Sequence, residues 1–131
     1  RVPIVTAVIG QGGSGGAHAI AVADVTLMLQ YSTYSVVSPE GCAGILWKGG
    51  RGGDKAPAAM KMTAPDLEQL QVIDEIVPEP TGGSHSDWDR TAEFLKEALV
   101  RQLGELKNLS TDELLRQRRE KFMAMGEWRE A

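Results

Sequence analysis

The stretch "GQGGSGG", Gly10–Gly16, lies between the apolar run "PIVTAVI" and the small-residue run "AHAIAVA". It constrains the fold more than any other feature of the chain. A β-branched run, a dense set of glycines and a run of small residues read in the order strand, turn, helix. The small residues suit a helix packed closely on a sheet. Two patterns overlap within the turn. Gly10, Gly12 and Gly15 spell G-x-G-x-x-G, the phosphate-binding turn of dinucleotide folds, while Gly12, Ser14 and Gly16 spell G-x-S-x-G, the serine-presenting elbow of hydrolases.

The first pattern requires an acidic residue about 20 positions on, at the end of the next strand, to hold a ribose. That place holds Gln30, between Leu29 and Tyr31. The second pattern offers Ser14 as nucleophile, with Asp74 or Asp87 and His85 to complete a triad in a suitable chain order. Against it, His85 lies in a glycine-rich loop with little to hold it, and His18, one helical turn beyond Ser14, is expected to pack. A third reading uses only the backbone. Glycines at a strand-to-helix turn admit a ligand close to the main chain, and the first helical turn has N–H groups without partners. Such groups form an oxyanion hole for a carbonyl oxygen that gains negative charge. On pattern alone, a tight packing turn explains the glycines equally well.

The rest of the chain reads as an α/β domain. Strands are expected at Pro3–Ile9, Val25–Gln30, around Tyr34–Val37 and at Ile73–Val77, with a helix over Gly15–Ala23. Ser38-Pro39-Glu40 predicts a capped helix start, running to about Lys48, and "GGRGG", Gly49–Gly53, reads as a linker or mobile surface loop. Two short helices follow, the second opened by a capping-box variant at Thr63-Ala64-Pro65-Asp66. Trp88, Ala92, Leu95, Leu99, Leu103 and Leu106 predict one long amphipathic helix, and Ser110-Thr111-Asp112-Glu113 a last one with Leu115, Phe122 and Met125 on its apolar stripe. These two helices are expected to form an outlying C-terminal arm, dividing the chain into residues 1–83 and 84–131. The basic run "RQRREK", Arg116–Lys121, reads as a solvated helix face.

A length of 131 residues suits one domain, and the formal charge of -4 argues against nucleic acid as a partner. No apolar run approaches the roughly 18 residues of a membrane span. Cys42 is the only cysteine; it cannot form an internal disulfide, and two histidines are too few to complete a zinc site with it. It reads as a small packed side chain in a reducing compartment. The chain enters a strand at once, without an initiator Met, and is expected to be the later part of a longer protein.

The longer text is more specific. "VIGQGGSGGAHAIAVAD", "MLQYSTYSVVSPEGCAGILWK", "KAP", "IDEIVPEPTGG" and "LSTDELLRQRREKF" together resemble the carboxyltransferase alpha subunit of multi-subunit acetyl-CoA carboxylase. The similarity runs from Val2 to about Gly126 and corresponds to the C-terminal portion of that subunit. The resemblance implies a partial crotonase-like fold of repeated ββα units in a spiral, ending in a helical arm. It implies transfer of a carboxyl group from carboxybiotin, on a biotin carboxyl carrier protein, to acetyl-CoA, giving malonyl-CoA, the first step of fatty-acid synthesis. The implied partners are a carboxyltransferase beta subunit in an α2β2 heterotetramer, the carrier protein and the biotin carboxylase of this ATP-dependent complex; no metal is implied for this chain. It places Gly15 and Gly16 as backbone donors facing the carboxybiotin carbonyl, so that Ser14 becomes a turn residue. Gly12, Gly13, Tyr31, Tyr34 and Ser35 are expected near the substrate. Gln11 and His18 depart from the family's usual acidic and aliphatic residues. The compartment implied is bacterial cytosol, with a plastid stroma as the alternative, and the fragment by itself is expected to be inactive. The alternatives are a non-catalytic assembly module of that complex, a serine hydrolase acting through Ser14, or an enoyl-CoA hydratase relative, for which no pair of carboxylates stands out.

Overall fold

The computed structural model describes residues 1–47 and 55–126. The expected end of the second helix at Lys48 and the "GGRGG" linker lie outside the described residues. The chain opens with two consecutive ββα units. The first comprises β1 (Val5–Val8), β2 (Gln11–Gly13) and α1 (Ser14–Ala21); the second comprises β3 (Val25–Leu29), β4 (Thr33–Ser35) and α2 (Pro39–Leu46). Two short helices, α3 (Ala56–Met60) and α4 (Ala64–Gln69), lead to β5 (Glu75–Val77). A single 3-10 turn at Ser84–Ser86 precedes α5 (Trp88–Lys107) and α6 (Thr111–Ala124).

Successive strands of each unit enter different sheets. A three-stranded parallel sheet has the order β1-β3-β5, with Val5 opposite Val25 and Leu27 opposite Glu75. A two-stranded parallel sheet pairs β2 with β4, with Gln11 opposite Thr33, Gly12 opposite Tyr34 and Gly13 opposite Ser35. Repetition of one unit therefore builds two sheets at once, the stacking expected of the crotonase-like spiral. The expected glycine turn is thus partly a strand: Gln11–Gly13 is extended and paired. Glycine disfavours a strand by itself, but here β4 supplies a partner along its whole length. The third expected strand also begins earlier, at Thr33.

The central strand β3 is buried on both faces, as its continuous apolar sequence requires. Side chains alternate across it. Met28 joins Val8, Ala17, Tyr34, Ala64, Leu67 and Ile73 on one face, beneath α1 and α4. Leu27 and Leu29 join Val77 and Ala98 on the other, with Phe94, Leu95 and Leu99 of α5 packed against them.

The long helix is therefore the second layer of the domain and does not stand away from it. Four of the six residues of the expected stripe lie on its packed side: Leu95 and Leu99 pack on the sheet core, Leu103 is half-buried and Leu106 buried. Thr91, Ala98 and Leu106 are its buried residues, whereas Trp88 is 75% exposed and Ala92 faces solvent. The sheet also selects Thr91, Phe94 and Ala98, which the expected stripe omitted. In α6 the buried residue is Leu114, with Leu115, Phe122 and Met125 half-buried.

The expected starts of α2 and α6 are present. Ser38 Oγ accepts the Gly41 N–H at 3.1 Å, with Pro39 at the first position, and Ser110 Oγ accepts the Glu113 N–H at 3.3 Å. At α4 the Thr63 hydroxyl instead donates to Asp66 Oδ2 at 2.6 Å, and its side chain caps no backbone N–H.

The basic run on α6 is split between two environments. Arg116 lies on the solvated face, between Glu113 and Glu120. Arg118 and Lys121 turn inward to the amino ends of β3 and β5. Arg118 makes a bidentate pair with Asp24, at 2.7 Å to each oxygen, and donates to the Val2 carbonyl at 2.9 Å. Lys121 pairs with Asp74 at 2.5 Å and reaches the Asp24 carbonyl at 3.2 Å. Burial pushes the Asp24 carboxyl up, but the hydrogen bonds from Arg118 and the Ile4 N–H and the charges of Arg118 and Lys121 outweigh it, and its pKa is lowered. The expectation of a fully solvated face fails for these two residues because helical spacing brings positions 118 and 121 onto one side of the helix.

Candidate functional site at the carboxyl end of the sheet

The parallel strands β1, β3 and β5 all end on the same side of their sheet, and three chain segments leave it there. Ile9 and Gly10 follow β1, Gln30–Ser32 follow β3, and Pro78–Glu79 follow β5. In open α/β sheets this is the end at which ligands bind.

From Gly10 the chain continues into β2 and then α1. Two contacts set the position of this segment. The Tyr34 ring lies directly against Gly12: a Cβ there would sit 2.6 Å from its Cδ2. The Tyr34 hydroxyl donates to the Ala17 carbonyl of α1 at 2.6 Å. One side chain thus supports both β2 and the helix that follows. Tyr34 is 7% exposed, and burial pushes its phenol pKa up. It belongs to the core and supports the glycine segment from beneath.

Ser14 opens α1 with φ +56°, a left-handed conformation that is unfavourable for a residue with a Cβ. This turns the chain from extended Gly13 (φ -150°, ψ 158°) into the helix. No side chain caps the helix and no acidic residue stands in its first turn. Gly15 and Gly16 are exposed, and a Cβ at either would meet nothing within 4 Å. As first-turn residues of α1, Gly15 and Gly16 stand where an N–H has no acceptor within the helix, and among the described residues no side chain caps them. The segment therefore presents main-chain donors at the positive end of a helix, beside exposed glycines.

The remaining expected residues divide. Tyr31 is exposed and lies on the wall of an open trough beside Gly10. The Ser35 hydroxyl is used internally, donating to the Val37 carbonyl at 2.9 Å. Gln11 and His18 are exposed. Cys42 is half-buried in α2.

A Ser14 triad is not assembled. Asp74 precedes β5, at the opposite end of the sheet, where it accepts the Thr26 N–H and pairs with Lys121. Asp87 caps α5, accepting the Arg90 N–H at 2.9 Å. His85 has no carboxylate of that pair to orient it. Among the described residues no group of three or more His, Cys, Asp or Glu side chains is placed to hold a metal ion, and no helix is long and apolar enough to cross a membrane.

One residue with a structural part in this region was absent from the expected set. Glu79 braces the loop that carries His85, and so overturns the reading that this loop has little to hold it. Its carboxylate accepts the Tyr31 N–H at 2.8 Å, the Ser84 N–H at 2.7 Å and the Ser84 hydroxyl at 2.5 Å. The available signal was an acidic residue between two prolines, at a strand end and just before a Gly-Gly pair.

A family model described as acetyl co-enzyme A carboxylase carboxyltransferase-like matches residues 1–126. The chain belongs to this family. Among its curated relatives, the acetyl-coenzyme A carboxylase carboxyl transferase subunit alpha of Geobacter metallireducens is 56% identical over 129 residues, covering 98% of this chain and 41% of the relative. The subunit of the same name from Thermus thermophilus is 52% identical over 130 residues, covering 99% and 42%. The chain thus spans about two-fifths of the length of these relatives. Of solved structures, a Pseudomonas malonate decarboxylase hetero-tetramer in complex with coenzyme A superposes with a TM-score of 0.57 at 20% identity, over 78% of this chain and 42% of that one. The fold is a partial crotonase-like fold, α/β with a C-terminal pair of helices.

Proposed function

We propose that this chain supplies the alpha-subunit half of a carboxyltransferase site, where a carboxyl group passes from carboxybiotin to acetyl-CoA to form malonyl-CoA. The observation that carries this reading is the uncapped start of α1. The Gly15 and Gly16 N–H groups lie in the first turn of α1, among the described residues no side chain caps them, and both glycines are exposed. Carboxybiotin, brought by the carrier protein, supplies the carboxyl group when bound, and the methyl proton of acetyl-CoA leaves to the ureido group that remains. No titrating side chain is then required of this chain. Its contribution is to orient a carbonyl oxygen and to stabilise the negative charge that develops on it, which fixed N–H donors do at any pH.

Gly12 and Gly13 lead into this segment, with the Tyr34 ring against Gly12 and Ser35 paired opposite Gly13, and Tyr31 lies beside Gly10. We infer that the other donors come from a carboxyltransferase beta subunit, in an α2β2 assembly served by the carrier protein and a biotin carboxylase in the bacterial cytoplasm.

The test uses this sequence within its complete alpha subunit, co-purified with beta. The readout is carboxylation of free biotin that depends on malonyl-CoA, the reverse reaction. Gly15→Val keeps the N–H but adds a branched side chain at an exposed position where a Cβ meets nothing within 4 Å. By crowding the site it is expected to lower turnover by about 10²-fold, the cost of a misplacement of order 1 Å, while assembly persists. Unchanged turnover would leave the segment structural and the chain an assembly module. Malonyl-CoA formation by the isolated 131-residue chain would refute the shared site.

A further inference from the structure

Beside the glycine segment, the carboxyl end of the sheet holds an open trough of about 580 Å³. Its walls include Ile9, Gly10, Tyr31, Ser32, Glu79 and His85. These residues come from the three segments that leave β1, β3 and β5, so the trough is continuous in sequence with the start of β2.

One carboxylate helps to hold the trough in shape. One oxygen of Glu79 accepts the Tyr31 N–H, and the other accepts both the N–H and the hydroxyl of Ser84. In return the Glu79 N–H donates to Gln30 Oε1 at 3.3 Å. The segment after β3 and the segment after β5 are therefore joined by the Glu79 and Gln30 side chains and by the Gln30 N–H on the Val77 carbonyl at 3.0 Å, and Glu79 alone ties them to the turn at Ser84. The turn is itself tightly formed. Gly82 and Gly83 take φ +94° and +90°, which favours glycine, and the Ser86 hydroxyl bonds the Gly83 and Thr81 carbonyls. Burial pushes the Glu79 carboxyl up, but the hydrogen bonds from Ser84 and the Tyr31 N–H and the nearby His85 outweigh it, so it stays ionised as an acceptor of all three bonds. Tyr31 and His85 are left exposed on the walls, with the apolar side chain of Ile9 also exposed at the rim.

We propose that Glu79 is a positioning residue of the carboxyltransferase site, holding Tyr31 and His85 as walls for the biotin co-substrate beside Gly10. This rests on the reading given under Proposed function. The chemistry fits an uncharged fused ring with an apolar tail: Ile9 and the Tyr31 ring offer apolar surface, and His85 a ring nitrogen for a polar edge. The trough's own carboxylate is taken up by three hydrogen-bond donors.

The experiment uses the complete alpha subunit assembled with beta, with biocytin as acceptor and malonyl-CoA as donor. Glu79→Ala removes the bonds from the carboxylate to the Tyr31 N–H and to Ser84, while the Gln30 bonds remain. We expect KM for biocytin to rise roughly 10-fold, about the worth of one lost hydrogen-bonded contact, with kcat and the KM for malonyl-CoA much less affected. Glu79→Gln, which keeps an acceptor for the Tyr31 N–H, falls between. Tyr31→Ala leaves the main-chain bond to Glu79 intact and so preserves the turn; it should reproduce the biocytin effect, and the double variant should not exceed the larger single one. Equal rises in both KM values, or a fall in kcat alone, would make Glu79 merely structural and overturn the proposal. An active wild-type complex with unchanged biocytin KM in Glu79→Ala and Tyr31→Ala overturns the trough alone. Calorimetric titration of biocytin separates the two readings. An inactive wild-type complex that binds biocytin, and loses it on Tyr31→Ala, sinks the reaction but supports the trough; one that does neither sinks both.

Discussion

Removing the Arg118 guanidinium tests how α6 is joined to the sheet. Arg118→Met keeps an unbranched apolar stem but deletes the bidentate pair with Asp24 and the bond to the Val2 carbonyl. The side chains of Asp24 and Arg118 are only 4% and 14% exposed, so this is a buried pair. Breaking such a pair from one side costs about 3–5 kcal/mol, because the remaining charge stays buried without its partner. Asp24 keeps the Ile4 N–H, with Lys121 close by, which favours the lower end, about 3 kcal/mol. Against a domain stability of about 5–15 kcal/mol, that is a large fraction.

Urea unfolding of the chain at neutral pH, followed by far-ultraviolet circular dichroism, would read this directly. Arg116→Met, on the solvated face, serves as the control and should change little. The pH dependence has a definite sign. Asp24 is depressed in the folded state, so its contribution is complete above the ordinary carboxylate range and is lost as pH falls through the lowered folded value. The stability gap between wild type and Arg118→Met should therefore be wide at neutral pH and close below about pH 4. A cost under about 1 kcal/mol, the size of a surface pair, would refute the buried docking contact.

Two other substitutions probe the glycine segment. Gly12→Ala drives a methyl group into the Tyr34 ring, which the Ala17 bond holds in place, and should cost about 1–3 kcal/mol in the same unfolding assay; a neutral result would mean that the ring moves freely. Ser14→Ala, in the assembled alpha–beta complex, should retain nearly full turnover, and wild type should resist a fluorophosphonate probe. A nucleophile would instead lose on the order of 10⁶ in kcat.

Much of the fold was legible because local chemistry and tertiary packing agree. Ser38-Pro39-Glu40 opens a helix in any context that permits one, and the run Val25–Leu29 reads as a strand from its composition and length. The glycine segment was legible as a strand-to-helix passage, and its uncapped N–H groups follow from the helix start. Its extended part was not, because glycine carries no strand signal. Gln11–Gly13 becomes β2 only when β4 lies alongside, and Gly12 is required because Tyr34, 22 positions later, fills the space a side chain would take.

The same division holds at the two ends of the sheet. Periodicity located α5, but the sheet decided that Thr91 and Ala98 face inward and Trp88 outward, since hydrophobic spacing reports a helix without reporting which neighbours its face meets. Charge counting placed Arg118 and Lys121 in water, whereas parallel strands bring Asp24 and Asp74 to one edge and make an ionic seat for α6. Glu79 shows the point most directly. Sequence alone determined that a carboxylate stands between two prolines before a pair of glycines. Only the tertiary structure, by placing the ends of β3 and β5 side by side, made that carboxylate the brace between Tyr31 and Ser84.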